Sequence, residues 1–160
     1  MNRSVPGDPL RQGSVKDDEK VECVGVEAQG KGLAAGQHAA RLASGQGTLG
    51  IAQGYESYFL QTTDGQMVDT HSVAAGLDYV GVSPLVAHLY DTQQIRITSA
   101  TDEEVIAVHQ DLMKTEGIIA ALESTHGVAA ALREGACLPK STRILINLSG
   151  RGDKDIFTIA

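Results

Sequence analysis

Residues 144–152 read Ile-Leu-Ile-Asn-Leu-Ser-Gly-Arg-Gly, and this stretch is among the most informative in the 160-residue chain. An apolar run that ends in a hydroxyl and two glycines is typical of a buried strand followed by a tight turn. Open α/β sheets bind their ligands beyond the carboxyl ends of the strands. We therefore predict a ligand site at the Ser149-Gly150 turn, where a hydroxyl and the backbone can approach a flat or anionic group.

Three short β-prone runs indicate the strands of a small sheet. They span residues 21–27, 94–98 and 143–148, and helical patterns separate the last two. Strands that alternate with helices favour βαβ units, so we predict the α/β class, with a small, mainly parallel sheet of three or four strands and flanking helices. In so small a sheet we expect one face to lack a covering element, which implies a missing half, an oligomer or marginal stability.

Helices are predicted by their caps and by apolar spacing. Residues 101–104 fit a capping box, and the apolar stripe that follows at helical spacing ends at Gly117. A second helix is expected over residues 123 to about 134, where small alanines allow close packing on the sheet. A short helix is expected over residues 84–90, because proline suits its first turn.

The remaining segments are predicted as turns, a loop and a leader. Residues 58–61 and 67–70 resemble a small hairpin with Asp64-Gly65 at its turn. Residues 30–54 are rich in glycine and alanine and are expected to form a long loop. Residues 1–20 contain two prolines and a charged run, so we interpret them as a flexible leader that precedes one domain, 21–160.

The composition excludes several functions. A formal net charge of -7 argues against nucleic-acid binding, which needs a basic surface. No apolar stretch reaches the length of a membrane span. Cys23 and Cys137 form no C-x-x-C pair, so we expect free thiols and a cytoplasmic location. The five histidines show no metal-ligand spacing, and the sequence contains no G-x-S-x-G, P-loop or G-x-G-x-x-G motif.

Three polar residues are candidates for chemistry, and each also has a plainer interpretation. Ser149 either bonds a ring nitrogen of a cofactor or bonds its own turn backbone, which is the commoner role of a turn serine. Glu123 either caps its helix, where the macrodipole favours a carboxylate, or lies partly buried beside a cofactor ring. Asp78 either forms an Asx turn or receives a substrate amine or hydroxyl.

Seven segments taken together resemble the tryptophan synthase β family in order and approximate spacing. They lie at residues 25–27, 61–66, 71–79, 101–104, 116–119, 121–124 and 147–155. The resemblance covers roughly residues 21–159 and the carboxyl-terminal portion of that family, and residues 1–20 show no match. Seven ordered matches are far more specific than any one of them.

This resemblance implies a pyridoxal-phosphate enzyme of fold type II that replaces the hydroxyl of L-serine with indole to give L-tryptophan, usually in complex with an α chain. The cofactor carries such chemistry and the protein supplies orientation and electrostatics. By this resemblance Ser149 and Gly150 bind the cofactor, with Ser149 on the pyridine nitrogen. Glu123 lies against its reactive face, and Asp78 holds the substrate-derived hydroxyl or amine. Backbone carbonyls around Tyr79 and Gly81 are expected to bind a monovalent cation.

Two motifs of that family do not occur in the 160 residues. The Schiff-base lysine of the family stands in a His-Lys-x-Asn motif, and this sequence has no His-Lys pair. Where a glycine-rich phosphate loop is expected, residues 11–16 read Arg-Gln-Gly-Ser-Val-Lys. Val80, Ser83 and Ala120 also stand where the family usually has proline or glycine. Because the covalent route needs the lysine, we predict that this chain alone is inactive.

Two hypotheses remain open. In the first, the chain is a carboxyl-terminal portion of a tryptophan synthase β chain: a fragment, a split-gene product or a degenerate copy. In the alternative, it is a non-catalytic binding or regulatory module that associates with a complete β chain or another partner. New chemistry through Glu123, Asp78 or a histidine has no positive support in the sequence.

Overall fold

The computed structural model describes residues 21–159, so the predicted leader, 1–20, lies outside the described residues. The strands and helices follow one another as β1 (Val24–Gly30), β2 (Thr48–Ala52), β3 (Tyr55–Phe59), α1 (Pro84–Asp91), β4 (Arg96–Thr101), α2 (Asp102–Glu116), α3 (Leu122–Gly135) and α4 (Ile156–Ile159). Short 3-10 turns lie at Ala75–Leu77 and Asp153–Asp155.

β1 and β4 form a parallel pair, which confirms the predicted α/β class with a small parallel sheet. The register places Val24 opposite Arg96 and Ala28 opposite Ala100. Both strands begin two to three residues later than the sequence predicts. The parallel arrangement brings the ends of β1 and β4 to the same edge, where α2 begins directly after β4.

The prediction of a third strand at residues 143–148 is wrong. The segment belongs to no strand, and its backbone makes no hydrogen bond with the backbone of any other described residue. A strand exists only when a neighbour pairs with it, and here a cavity lies between the segment and β1. The parallel sheet of the described chain therefore has two strands rather than the predicted three or four.

β2 and β3 form an antiparallel hairpin within and after the predicted loop 30–54, so that part of the loop prediction is wrong. The two-residue turn Gln53-Gly54 has φ values of 52° and 87°, and both central residues of a type I′ turn need this left-handed conformation. The hairpin predicted around Asp64-Gly65 is reduced to one bridge between Gln61 and Met67. A Gln-Gly turn is a weaker sequence signal than Asp-Gly, which explains why the wrong hairpin was predicted.

The helices agree closely with their sequence signals. Thr101 Oγ1 accepts a hydrogen bond from the Glu104 amide at 3.2 Å, and Glu104 Oε2 accepts one from the Thr101 amide at 2.8 Å, so the capping box is present. Gly117 ends α2 with a φ of 67°, the left-handed conformation that glycine adopts without strain. α3 begins one residue before Glu123 and ends one residue after Glu134.

The core lies where α3 packs against β1, β4 and α2. Its buried cluster consists mainly of small side chains: Ala74, Ala100, Val105, Leu122 and Ala129. Small residues let the helix approach the sheet closely, which suits a chain with only 4% aromatic residues. Within residues 21–159, every helix is too short to span a lipid bilayer.

Candidate functional site

The turn at residues 149–152 is held against the start of α3. The Gly150 carbonyl accepts a hydrogen bond from the Ala121 amide at 2.9 Å. A Cβ atom at Gly152 would lie 2.2 Å from the Ala120 carbonyl oxygen, so this close backbone approach requires glycine. The predicted turn therefore lies beside the amino end of α3. The hydrogen bond at Gly150 and the close contact at Gly152 hold its backbone there.

Asp155 supplies the side-chain cap at the start of α3. The residue at the cap position, Ala121, has no side chain that can accept a hydrogen bond, and Asp155 Oδ2 accepts one from the Leu122 amide at 3.0 Å. Asp155 is buried, and Lys154 Nζ donates to both of its carboxylate oxygens at 2.7 and 2.9 Å. No local pattern in the sequence indicates this cap, because the two residues lie 33 positions apart.

The Glu123 carboxylate joins three segments of the chain. Its Oε1 accepts a hydrogen bond from the Gly76 amide at 2.9 Å, and its Oε2 accepts one from Lys154 Nζ at 2.9 Å. Burial opposes ionisation, but the bonds from Lys154 and from the amides of Glu123 and Gly76 outweigh it, so the pKa of Glu123 lies below its ordinary value. Glu123 is therefore an ionised and firmly held carboxylate at neutral pH.

Glu123 and Ser149 line the same cavity, which has a volume of about 650 Å³. The cavity follows the length of α3, because Glu123 at the start of the helix and Glu134 near its end both contribute to the lining. The rest of its lining comes from β1 and the residues just before it, from most of residues 142–149, and from Leu77, Arg96 and Leu138. An ionised carboxylate and a hydroxyl in one cavity can orient a polar ring.

Asp78 lies outside the lining of this cavity. Leu77, the preceding residue, lines it, whereas Asp78 is exposed at the end of the 3-10 turn. Gly76 fixes that turn to Glu123, and a Cβ atom at Gly76 would come within 2.8 Å of Glu123 Oε1. The structure thus brings Glu123 and Ser149 together and leaves Asp78 on the adjoining loop.

Of the two predicted cation ligands, Tyr79 is engaged with another group, because its carbonyl accepts a hydrogen bond from Arg41 Nη1 at 2.5 Å. Gly81 lies opposite Phe59 in an antiparallel bridge, whose hydrogen bonds are made by the Val80 carbonyl and the Val82 amide rather than by the Gly81 carbonyl. Arg41 also forms an ion pair with Glu27, with Nε and Oε1 3.1 Å apart. A guanidinium already supplies the positive charge at the Tyr79 carbonyl, and no pattern in the sequence pointed to it.

A second cavity, of about 980 Å³, contains a His–Asp pair that the sequence did not predict. His71 Nε2 lies 2.8 Å from Asp102 Oδ2, and Asp102 Oδ1 accepts a hydrogen bond from the Val73 amide at 3.0 Å. The adjacent hydroxyl, Ser72, accepts a bond from the Ala74 amide and makes none with His71. A His–Asp pair without a bonded nucleophile lacks the third member of a catalytic triad.

The fold and the site define an α/β protein with a carboxylate and a hydroxyl in a cavity along a parallel strand pair. The chain is 50% identical over 142 residues to the tryptophan synthase beta chain of Bordetella petrii, and 48% identical over 143 residues to that of Helicobacter hepaticus. Each match covers 89% of this chain but only 35% and 34% of the relative. The chain thus spans about a third of the relatives' length, and its resemblance to the carboxyl-terminal portion of the tryptophan synthase β chain is confirmed.

No family model matches the chain. Among solved structures, an O-acetylserine-dependent cystathionine beta-synthase from Helicobacter pylori gives a TM-score of 0.49 at 18% identity, and the likeness covers 84% of this chain and 33% of that one. The relationship therefore rests on sequence identity to the beta chains.

Proposed function

We propose that the chain supplies the carboxyl-side wall of a site of the tryptophan synthase β type, and that a separate portion of such an enzyme supplies the rest. The observation that carries the proposal is that Glu123 and Ser149, 26 positions apart in the sequence, line one cavity. The identity to tryptophan synthase beta chains supports the same assignment. The activity proposed for the completed site is the replacement of the L-serine hydroxyl by indole, with an α chain as a further partner.

Pyridoxal phosphate, the cofactor of that family, matches the described residues only in part. Ser149 offers a hydroxyl for the pyridine nitrogen, and Glu123 offers a carboxylate in the same cavity. No lysine lines that cavity among residues 21–159. Lys154 contacts Glu123, but it is held by two carboxylates: burial opposes its charge, and the bonds to Asp155 and Glu123 outweigh burial and raise its pKa. An ammonium so paired is not a nucleophile, so these residues alone do not fit covalent attachment of the cofactor.

The remaining assignments follow the same proposal. Ser149 and Gly150 are assigned to cofactor binding, Glu123 to the reactive face of the cofactor and Asp78 to the substrate. Asp78 is exposed, so its carboxylate is accessible to a substrate amine or hydroxyl. A monovalent cation at the carbonyls of Tyr79 and Gly81 stays a prediction, and such a cation would have to replace the guanidinium that now contacts Tyr79.

A cytoplasmic location and a domain boundary at residue 20 also stay predictions. Cys23 and Cys137 are free thiols, as expected of a chain that works in a reducing compartment. The alternative function, a non-catalytic module that associates with a complete β chain, is favoured by one observation: residues 143–148 expose apolar side chains that a partner would cover.

Complementation tests the proposed function. The part of the Bordetella petrii beta chain that this chain does not match is produced separately, and tryptophan formation from L-serine and indole is measured with added pyridoxal phosphate. We expect no turnover by this chain alone, or by the other part alone, and measurable turnover by the mixture. A mixture that forms a complex without making tryptophan contradicts the proposal and favours the non-catalytic alternative.

Two matched serine variants test whether Ser149 binds the cofactor. We expect Ser149→Ala to weaken cofactor binding by the mixture about tenfold, the value of roughly one net hydrogen bond. Ser141→Ala is the control, because Ser141 is exposed and does not line the cavity. Absorbance titration with pyridoxal phosphate measures both variants. Equal affinity in the two variants would remove Ser149 from the cofactor site.

A further inference from the structure

The Arg41 side chain joins two segments that lie far from it in the sequence. Its Nη1 donates a hydrogen bond to the Tyr79 carbonyl, 38 positions away, and its Nε lies 3.1 Å from Glu27 Oε1, 14 positions away. Only 11% of this side chain is exposed, whereas the side chain of Arg133 is 40% exposed. A guanidinium with so little water around it needs partners in the protein, and Arg41 has a carboxylate on one side and a carbonyl on the other.

The charge of Arg41 is matched by the buried Glu27 of β1. Glu27 Oε2 accepts hydrogen bonds from the amides of Leu42 and Ala43, each at 2.8 Å, and its Oε1 faces Arg41. A buried carboxylate is costly unless an opposite charge and hydrogen bonds compensate it, and here both are present. The pair therefore brings the guanidinium to a defined place beside β1, and the two charges cancel.

The main chain of Arg41 is fixed as well. The Gly47 amide donates to the Arg41 carbonyl at 2.9 Å, and a Cβ atom at Gly47 would lie 2.7 Å from that oxygen, so the approach requires glycine. Burial lowers the pKa of Arg41, and the attraction of Glu27 partly offsets this effect. Arginine stays protonated at neutral pH even so, because its ordinary pKa lies above about 12. Arg41 is thus a permanent positive charge at a fixed position.

Asp78 lies between two anchored residues of its loop. On one side, the Gly76 amide donates to Glu123 Oε1 at 2.9 Å. On the other side, the Tyr79 carbonyl accepts the bond from Arg41. Asp78 itself is exposed. The loop is therefore held on both sides of Asp78, and Arg41 supplies the anchor on the carboxyl side.

A carbonyl oxygen that accepts a bond from a guanidinium is also the kind of ligand that a monovalent cation prefers. Backbone carbonyls replace the hydration shell of K⁺ in ion-binding sites. The family resemblance predicts such a cation at the carbonyls of Tyr79 and Gly81, and in this chain a guanidinium contacts the first of them. Arg41 would repel a second positive charge at the same oxygen, because two like charges at short range interact strongly. The described residues thus fit the predicted free cation poorly.

We propose that the Arg41 guanidinium acts as a built-in cation at the Tyr79 carbonyl, in place of the predicted free cation, and holds the Asp78 loop without any added ion. Arg41 is a positioning residue, because it acts through the main chain of Tyr79. The contact of the guanidinium belongs to this chain's own structure, whereas its benefit to a substrate at Asp78 rests on the proposed function.

Amide hydrogen exchange in different salts tests the proposal on the unmodified chain. Exchange at Leu77, Asp78 and Tyr79 is measured in potassium, sodium and choline chloride at an ionic strength of about 0.1 M, so that general screening is equal. Choline is a quaternary ammonium ion without N–H donors. We expect the three salts to give equal rates. Exchange that is about tenfold slower in potassium or sodium than in choline would overturn the proposal, because a free cation would then order the loop.

Removal of the guanidinium should create the cation dependence that the unmodified chain lacks. In choline chloride, we expect Arg41→Ala to speed exchange at the same three amides by about tenfold, the value of roughly one net hydrogen bond. Guanidinium or potassium should restore the protection, because the Glu27 carboxylate and the Tyr79 carbonyl remain. Guanidinium is added at about 20 mM, far below the molar range in which it unfolds proteins. Unchanged exchange in Arg41→Ala, or a loss that neither cation restores, would overturn the proposal.

Two further variants separate the charge from general loosening. Arg133→Ala is the matched control, because Arg133 also joins a carboxylate, of Glu104 at 2.9 Å, to a backbone carbonyl, of Ser99 at 2.7 Å. It should leave exchange in the Asp78 loop unchanged, and equal acceleration by Arg133→Ala and Arg41→Ala would contradict the inference. Arg41→Lys keeps the charge and should show no response to added potassium or guanidinium. If Arg41→Ala does not fold, the unmodified chain and Arg41→Lys still decide the question.

The exchange measurements and the complementation assay fail independently. A mixture that makes no tryptophan contradicts the proposed function and leaves the result for the Asp78 loop as it is. Cation-dependent order of that loop in the unmodified chain overturns the role of Arg41, whether or not the mixture makes tryptophan.

Discussion

Lys154 and Glu123 form an ion pair with Nζ and Oε2 2.9 Å apart, and this pair connects the turn after residues 143–148 to one wall of the cavity. The other carboxylate oxygen of Glu123 holds the Gly76 amide, and Lys154 also bonds Asp155. One carboxylate and one ammonium therefore fix the relative positions of three segments that are distant in the sequence.

Replacing Glu123 by Gln should cost about 0.5–1 kcal/mol of unfolding free energy at pH 7, a small value because Lys154 is half exposed and solvent screens the pair. The pKa of Glu123 lies below its ordinary value, so the ionised form stabilises the fold above the unfolded pKa of about 4.3. This stabilisation is lost as the pH falls through the lower pKa of the folded state.

Urea unfolding at neutral pH and at about pH 3 checks this expectation, because the difference between Glu123→Gln and the parent should shrink in acid. Glu56→Gln, a change at an exposed carboxylate on β3, is the control and should show little difference at either pH. A difference that is the same at both values of pH would mean that the charge of Glu123 does not stabilise the fold.

Two glycine-to-alanine changes should have opposite effects. Gly127→Ala should stabilise the chain by about 0.5–1 kcal/mol, because alanine is the better helix former and its Cβ meets Ile146 at an ordinary 3.6 Å. Gly152→Ala should destabilise it by about 1–3 kcal/mol, because the Cβ would collide with the Ala120 carbonyl. Thermal unfolding of both variants provides the measurement, and shifts of the same sign would refute the expectation.

The capping box at the start of α2 predicts how much folding stability is lost when the Thr101 hydroxyl is removed. Thr101→Ala should lower the unfolding free energy by about 1 kcal/mol, because the Glu104 amide loses its acceptor. Thr115→Ala is the control at the other end of the same helix, where an exposed hydroxyl bonds the Asp111 carbonyl. Chemical denaturation should show a clearly larger loss for Thr101→Ala, and a loss no larger than the control's would show that the cap contributes nothing.

His126 should make stability depend on pH near neutrality. Its Nδ1 lies 2.8 Å from the Leu122 carbonyl, and its buried Nε2 has no partner among the described residues. Burial lowers the pKa of His126, and the bond to the carbonyl only partly offsets this effect. The unfolded chain therefore binds a proton on His126 more readily than the folded chain does. As a result, the contribution of neutral His126 to the free energy of unfolding is complete above about pH 6.5 and declines below it.

His126→Asn keeps a donor near the position of Nδ1 and cannot gain the charge. We expect the slope of unfolding free energy between about pH 7 and pH 5 to be shallower in this variant than in the parent. His88→Asn, at an exposed position on α1, is the matched control and should leave the slope unchanged. Parallel pH profiles for the parent and His126→Asn would contradict the expectation.

The sequence predicted the helices well because their signals are local. The two halves of the α2 cap, Thr101 and Glu104, are three positions apart, and Gly117 marks the end of the same helix. Residues 143–148 were assigned to a strand on composition that favours strands, but composition does not supply the neighbour that a strand needs. The hairpin of β2 and β3 was missed because its turn, Gln53-Gly54, departs from the common turn dipeptides.

The candidate site was predicted in part. Ser149 is a candidate because of its turn and Glu123 because it stands at a helix start, and the family resemblance assigns both to one cofactor; both line one cavity. The bonds of Glu123 to Lys154 and of Leu122 to Asp155 span 31 and 33 positions, so no pattern of neighbouring residues could indicate them. The contact of Arg41 with the Tyr79 carbonyl is equally distant in sequence and was likewise missed.

The remote cap on α3 has a consequence for the order in which a nascent chain matures. α2 carries both parts of its cap at its own start, so its first turn is capped without any residue from elsewhere in the chain. The first turn of α3 gains its cap only when Asp155 folds back onto the Leu122 amide, although the helix itself ends twenty residues earlier. During synthesis the start of α3 therefore stays without this cap until Asp155 has left the ribosome, whereas α2 can be capped earlier.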